Sequence, residues 1–433
     1  MAQNQGGRYI IDGGRPVSGT VRISGNKNAA LPCLAATLLA REPVTLRNIP
    51  RIADVGVMVE LLEILGMRVE NREPGVYHIS GTPSVRDLPY TLVDAVRGSI
   101  LLVGPLVARC GAVRLPPPGG DVIGLRRLDT HFSVLEALGA TCVLHDNGLL
   151  DVRTPSGLSG TDVFLDEASV TATENAVMAA SVASGTTILR NAACEPHVQD
   201  LCSMLNQMGA KISGIGSNLL VIEGVAELHG CDFTIGYDYM EAGSFIGLAA
   251  ATRGTLILEG TDGHDVPMIR NGFARLGIEW ESLAGNRLVV PAEQRLSIVR
   301  TVNGGTPKLD DAPWPGFPAD LLSIMTVVAT QAKGNILIHE KMFESRMFFI
   351  DWLIRMGADI ILCDPHRAVV TGPMALTPAR LTSPDVRAGM ALIIAALCAE
   401  GRSEIQNVYQ VERGYEDLVG KLKILGAAIE RVE

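Results

Sequence analysis

Apolar residues along this chain recur with a helical period that a glycine interrupts six times. Between Ala53 and Leu65 the side chains of Val55, Met58, Val59, Leu62 and Leu65 fall on one face of a helix. Asp200 to Met208 repeats the design with Leu201, Met204, Leu205 and Met208. Each such segment ends on a Leu-Gly or Met-Gly pair: Leu65-Gly66, Leu138-Gly139, Met208-Gly209, Leu276-Gly277, Met356-Gly357 and Leu425-Gly426. The glycine is expected at the C′ position, where a left-handed backbone costs it nothing, and a strand-like run follows. A second strand-like run precedes each helix: Pro43–Leu46, Gly111–Leu115, Gly185–Leu189, Gly254–Leu258, Gly334–Ile338 and Gly401–Ile405. Ala-rich stretches at Ala29–Ala40, Ala176–Ala183, Ile246–Ala251 and Ala388–Ala399 predict an inner helix, small-sided because it packs between sheet and neighbouring helices. Each unit thus reads helix, strand, helix, glycine, strand, and it recurs six times. A unit that cannot bury its own face must stack on its siblings.

Six units in 433 residues fit two globular α/β domains of three units each better than a solenoid, for which polar capping repeats are not evident. The composition, 47% hydrophobic with 4% aromatic, excludes a disordered chain. No uninterrupted apolar run reaches the roughly 18 residues that span a bilayer, and Met1–Arg8 lacks an apolar signal core, so a cytoplasmic protein is expected. Eight scattered cysteines without a Cys-x-x-Cys pair or paired His spacing predict reduced thiols and no metal site. A net charge of -10 argues against nucleic acid or an anionic membrane as partner. Any anionic ligand must therefore be held by local Arg and Lys clusters.

Such clusters exist. Arg114–Asp129 holds three prolines, Gly119 and Gly120, then Asp121, with Arg126 and Arg127 close behind. This is poor packing material and predicts a surface loop, either a solvated connector or a functional one. Ser24-Gly25-Asn26-Lys27-Asn28 puts a cation at a strand-to-helix turn, where backbone amides favour anions, although a solvated Lys is the ordinary outcome. Arg97 opens an apolar helix through Leu101 and Leu102, and could be a cap or an ion-pair partner. Pro313–Asp320 delivers a carboxylate at a helix start, where Asp320 could be an N-cap. Asp385-Val-Arg387 and Glu412-Arg413 place an Arg beside an acid, which surface salt bridges could also explain.

Taken in order, these runs resemble the UDP-N-acetylglucosamine 1-carboxyvinyltransferase family of enolpyruvyl transferases, from about residue 8 to the C-terminus. The matching motifs are Gly25-Asn-Lys27-Asn28-Ala-Ala, Pro118-Gly-Gly-Asp-Val-Ile-Gly-Leu-Arg126, Glu174-Asn175 with Asn191-Ala-Ala-Cys-Glu195-Pro, Phe317-Pro-Ala-Asp320, Phe343-Glu-Ser-Arg346, Asp385-Val-Arg387 and Arg413-Gly-Tyr. The resemblance implies a two-domain inside-out α/β barrel, each domain three repeats of a βαβαββ-type unit. One domain comprises 22–234 and carries the loop; the other comprises 1–21 with 235–433. It implies an enolpyruvyl transfer from phosphoenolpyruvate to UDP-N-acetylglucosamine with no cofactor, and leaves the oligomeric state open. Lys27, Arg97, Arg126, Arg387 and Arg413 would hold the phosphate and carboxylate, to which guanidinium forks are suited. Asp320 would be the base and Asp121 the acid, with Lys27 beside them. Asn28, Arg127, Leu128, Asp129, Ser169, Val170, Thr171, Met342, Phe343, Arg346 and Asp385 fall where the family binds substrate.

The chain departs from the family pattern at Arg127, where Pro is usual, at Tyr239, where Arg is usual, and at Ala319, where Thr is usual. Two other readings stay open: the same chemistry on another acceptor, such as shikimate 3-phosphate, and a ligand-binding protein without turnover. The shikimate version is disfavoured because the Pro-Gly-Gly-Asp loop matches the sugar-nucleotide branch. At the loop tip most relatives carry Cys, and some carry Asp as here.

A carboxylate is a far weaker nucleophile toward an epoxide than a thiolate. The protein is therefore expected to resist inactivation by fosfomycin, which alkylates the loop thiolate of Cys-type relatives, whereas Asp121→Cys becomes sensitive and Asp121→Asn loses most turnover. Time-dependent inactivation of the wild type, with the adduct mapped by mass spectrometry to a cysteine, is the opposing result.

Overall fold

The computed structural model describes residues 7–84, 87–120, 123–124, 126–261 and 266–433. The loop-tip Asp121 lies outside the described residues. The six glycines sit where the hydrophobic period ends, and all have positive φ: 97° at Gly66, 97° at Gly139, 99° at Gly209, 73° at Gly277, 92° at Gly357 and 84° at Gly426. An L-residue is strained there, so the glycine ends the helix and turns the chain into a strand. Thus the helix Ala53–Ile64 is followed by the hairpin Met67–Glu73 and Val76–Gly81, and the helix Pro196–Gln207 by Lys211–Ser213 and Leu219–Glu223.

Among the described residues the strands form six sheets, five of four strands and one of three. In five of these sheets the strand preceding the helix pairs antiparallel with one strand after it. Thr186–Arg190, for example, runs antiparallel to Leu219–Glu223 and parallel to Asp162–Phe164. The sheet holding the last unit departs from this pattern. After Gly426 comes only the strand Ala428–Val432, and the vacant second place is taken by Arg8–Gly13, antiparallel to both Gly401–Gln406 and Ala428–Val432.

The chain divides into two compact units. One holds Gly25–Gly120 and Arg126–Gly236; the other holds the residues up to Ser24, Ile123 and Gly124, and Tyr237–Glu433. In the second, the helices Tyr239–Thr252, Leu322–Gln331 and Val386–Cys398 pack on one another, and every residue from Val386 to Leu397 is buried. In the first, Val103–Cys110 packs on Val170–Ala180. A Cβ on Gly104 would lie 2.5 Å from the Asn175 carbonyl oxygen, so only glycine permits that approach.

The helix expected from Arg97 through Leu102 begins instead as a 3-10 turn, Arg97–Leu102, and becomes α-helical at Val103–Cys110. Pro105 has no N–H to bond back to Leu101, which restarts the helix there. Among the described residues no helix is long and apolar enough to cross a membrane.

Gly426 has nothing within 4 Å of a built Cβ, whereas Gly277 would meet the Ser297 carbonyl oxygen at 3.0 Å. Gly426→Ala should therefore cost only the left-handed backbone, about 1–2 kcal/mol, and Gly277→Ala should cost more. The order of thermal midpoints, wild type above Gly426→Ala above Gly277→Ala, checks this.

Candidate functional site

In the unit built from Gly25–Gly120 and Arg126–Gly236, Lys27 and Arg97 are held in two different ways. Lys27 is the first residue of the helix Lys27–Ala36, whose N-cap Asn26 accepts from the amides of Asn28 (2.8 Å) and Ala29 (3.2 Å) through Oδ1. Its Nζ meets Asp54 Oδ2 at 2.7 Å, and Asp54 is buried. Lys27 is thus a fixed charge rather than a solvated one. Asp54 was not anticipated, because inside the apolar period of its own helix it passes for an ordinary polar residue.

Arg97 donates from Nη1 to the Pro118 carbonyl (3.1 Å) and from Nη2 to the Arg126 carbonyl (2.7 Å). Both acceptors are neutral. Burial, with the Arg126 charge adding to it, pushes the Arg97 guanidinium down to about 10, so this is a cation whose bonds supply no compensating anion. The same contacts clamp the base of the Pro-rich loop. Gly119 N and Gly120 N donate to Val93 and Asp94 carbonyls (3.3 and 3.1 Å), and a Cβ on Gly119 would lie 1.9 Å from the Asp94 carbonyl oxygen. The glycines serve close approach here, rather than only freeing the chain.

Past the loop, Arg127 is exposed, Leu128 is half-buried, and the exposed Asp129 begins the helix Asp129–Ala137. That helix carries a residue absent from the sequence-based candidates. His131 is buried, its Nε2 lies 3.1 Å from Thr171 Oγ1, and its Nδ1 lies 3.1 Å from Asn175 Nδ2. Because Asn175 Nδ2 can only donate, Nδ1 accepts and Nε2–H donates to Thr171, which fixes a neutral tautomer. Burial and the nearby Arg97 push the imidazole down to about 3. Ser169 caps the helix Val170–Ala180 by accepting from Ala172 N, so Ser169, Val170 and Thr171 form one turn that His131 braces. A lone His in an amphipathic helix gives no sequence signal of this kind.

In the other unit the centre is Asp320. It lies in the 3-10 turn Ala319–Leu321 and makes no N-cap bond; Oδ1 accepts from Arg346 Nη2 at 2.6 Å and Oδ2 from Arg387 Nε at 3.0 Å. Burial alone would raise its affinity for a proton. Arg346 and Arg387 outweigh that and hold the carboxyl well below the usual range. Arg346 stacks 4.7 Å over the Phe343 ring and Arg387 5.1 Å over Tyr415. Asp385 is the N-cap of Val386–Cys398, accepting from Arg387 N and Ala388 N at 2.8 and 2.9 Å, so the pair is not a surface salt bridge. Arg413 is buried and donates to Gln410 Oε1 at 3.0 Å; Met342 is exposed. Tyr239 opens the helix Tyr239–Thr252, buried, with its ring 6.0 Å from that of Trp314.

Among the described residues, one unit therefore offers an arginine bonded to neutral carbonyls with the Arg126 charge nearby, and the other a half-buried carboxylate in a double guanidinium grip. A profile of EPSP synthase (3-phosphoshikimate 1-carboxyvinyltransferase) matches residues 11–422, and the chain belongs to this family of enolpyruvyl transferases. The UDP-N-acetylglucosamine 1-carboxyvinyltransferase of Treponema denticola is 58% identical over 426 residues, 98% of this chain and 99% of its own. That of Bradyrhizobium diazoefficiens is 54% identical over 427 residues, 98% of each chain. Among solved structures, the enolpyruvyl transferase NikO from Streptomyces tendae superposes with a TM-score of 0.87 at 25% identity, covering 99% of each chain. EPSP synthase from Acinetobacter baumannii, with a TM-score of 0.76 at 16% identity over 99% of this chain and 100% of its own, shares the α/β fold.

His131 supplies a pH signature. An unfolded His titrates near 6.5 and the folded one near 3, so between those values the unfolded state binds the extra proton and stability falls as pH falls. Between pH 6.5 and 5 the loss should reach roughly 2 kcal/mol. The thermal midpoint of His131→Gln should fall less than that of the wild type over this interval; parallel curves would show that the imidazole is already charged in the native protein.

Proposed function

We propose that this protein transfers the enolpyruvyl group of phosphoenolpyruvate to the 3-hydroxyl of UDP-N-acetylglucosamine, releasing phosphate, and so supplies peptidoglycan synthesis in the cytoplasm. The observation that carries the choice of acceptor is the 54–58% identity, over nearly the whole chain, to relatives bearing that name. The finer architecture in this reading is a two-domain inside-out barrel.

The chemistry follows from charge. The substrate brings a phosphate and a carboxylate, and the half-buried Arg97, lacking an anion among its described bonds, gains the most from meeting one. Lys27, Arg126, Arg387 and Arg413 complete the set in this reading. The sugar hydroxyl adds to C2 of the enol as a proton arrives at C3 from Asp121. Loss of the C3 proton then expels phosphate and restores the double bond. The acceptor hydroxyl must also surrender its proton.

Asp320 is the base in this scheme, yet two guanidiniums make it a poor one at rest. Its basicity rises when Arg387 turns to a substrate anion, since each cation removed from a carboxylate raises its proton affinity. Substrate binding thereby arms the base. Tyr239, Arg127 and Ala319 bear on which nucleotide sugar is preferred.

The test is phosphate release from phosphoenolpyruvate against UDP-N-acetylglucosamine, other UDP-sugars, UMP and shikimate 3-phosphate. Release with UDP-N-acetylglucosamine is expected, and turnover with shikimate 3-phosphate alone would overturn the reading. Asp320→Asn should lower turnover by about 100-fold or more while phosphoenolpyruvate still binds, the loss typical of a missing base.

A further inference from the structure

The turn 341–346 carries Met342, Phe343 and Arg346, yet its own backbone is held by two acids that the reaction does not use. Asp311 is fully buried; its Oδ1 accepts from Lys341 N at 2.5 Å and its Oδ2 from Met342 N at 3.2 Å. Glu340 is fully buried as well, and its Oε1 accepts from Phe343 N at 3.2 Å. Three consecutive amides are thus tied down by two carboxyl groups. Glu340 is itself clamped at the backbone, its N–H donating to the His366 carbonyl (2.8 Å) and its carbonyl accepting from His366 Nδ1 (2.7 Å).

Asp311 and Glu340 bind the consecutive amides Met342 N and Phe343 N of one buried turn, which brings their carboxyls together, and like charges so placed favour keeping a proton on one of them. Asp311 uses both oxygens as acceptors. Glu340 uses one, and among the described residues no donor reaches its Oε2. The shared proton therefore belongs on Glu340, where it turns a repulsive contact into a hydrogen bond to Asp311.

We propose that Glu340 and Asp311 share one proton and act as a positioning pair, fixing the 341–346 turn so that Phe343 and Arg346 are set for the acceptor and for Asp320. Burial first, then the Asp311 bond, push the Glu340 carboxyl up to about 9, against the opposing pull of Arg346. The other charged groups nearby are accounted for. Glu340, Arg346, Asp385 and Arg387 line one small cavity, Arg346 and Arg387 are engaged by Asp320, and Lys341 Nζ is bonded to Asp310 at 2.7 Å.

The kinetic half of the test rests on the enolpyruvyl-transfer reading; the stability half does not. KM for UDP-N-acetylglucosamine should rise about tenfold as pH passes through about 9, where Glu340 ionises against Asp311, with kcat changing less. Glu340→Gln, which keeps a neutral donor, should match the wild type near pH 7.5 and lose the alkaline rise. Glu340→Ala should raise KM at every pH.

In thermal melts the sign is set by linkage. Between about 4.5 and about 9 the folded Glu340 keeps a proton that the unfolded chain has lost, so stability falls as pH rises. The wild-type midpoint should then fall more steeply than that of Glu340→Gln from pH 5 to 9, the gap levelling off above 9. Parallel melting profiles, or the same alkaline KM rise in wild type and Glu340→Gln, would overturn the shared proton. Absence of turnover with every acceptor would overturn the functional reading alone and leave the melts to decide.

Discussion

A helix buried on every side cannot be stabilised by the unit that contains it, and the arrangement of this chain follows from that constraint. Val386–Leu397 exposes no residue to solvent, and its burial depends on the helices Tyr239–Thr252 and Leu322–Gln331, each from a different repeat. Small residues make the packing possible, as at Gly104, where a single methyl group would collide with the Asn175 carbonyl. The burial that stabilises the fold is thus shared between repeats, and deleting one repeat strips the inner helices of the others. The outer helices show the complementary economy: one apolar face, one wet face, and a left-handed glycine to end on.

Charge is placed against this apolar background by two opposite devices. Lys27 and Asp320 are neutralised in the resting protein, by Asp54 in one case and by two arginines in the other. Arg97 is not neutralised by its bonds to carbonyls. A buried ion pair contributes little net stability, because desolvation offsets most of the Coulomb gain, whereas removing one partner is costly. The pairs are better understood as stores of charge that a ligand can redistribute. In the proposed reaction Arg97, whose described bonds go to neutral carbonyls, is the group that makes an anionic ligand favourable from the outset.

The sequence disclosed the frame and the charged centre to different depths. The glycines after Leu65, Leu138, Met208, Leu276, Met356 and Leu425 were legible because each obeys a local rule, and all six take the left-handed backbone. Asp320, Arg346 and Arg387 were legible only through motif order; spacing gives no hint that residues so far apart form one ion cluster. Asp54, His131, Asp311 and Glu340 were invisible for a physical reason. A buried polar residue inside an apolar period looks like the solvent side of its helix or strand, and its partner is chosen by tertiary contact. Asp320 also shows the limit of a local rule, since a carboxylate at a helix start predicts a cap, and the two guanidiniums took it instead.

The strand Arg8–Gly13 lies between Gly401–Gln406 and Ala428–Val432, partners that the ribosome adds roughly 400 residues later. At a synthesis rate of roughly 5–20 residues per second, this strand waits tens of seconds for its neighbours. In the same interval the contiguous stretch from Gly25 can close, because Asp232–Thr234 comes back to pair with Val44–Arg47 long before the terminus emerges. One unit is thus able to mature on the ribosome, while the other stays an open-edged intermediate until those two strands have been made. Chaperone demand, sensitivity to premature termination and tolerance of N-terminal tags should all concentrate on the unit whose first strand is its last to be paired.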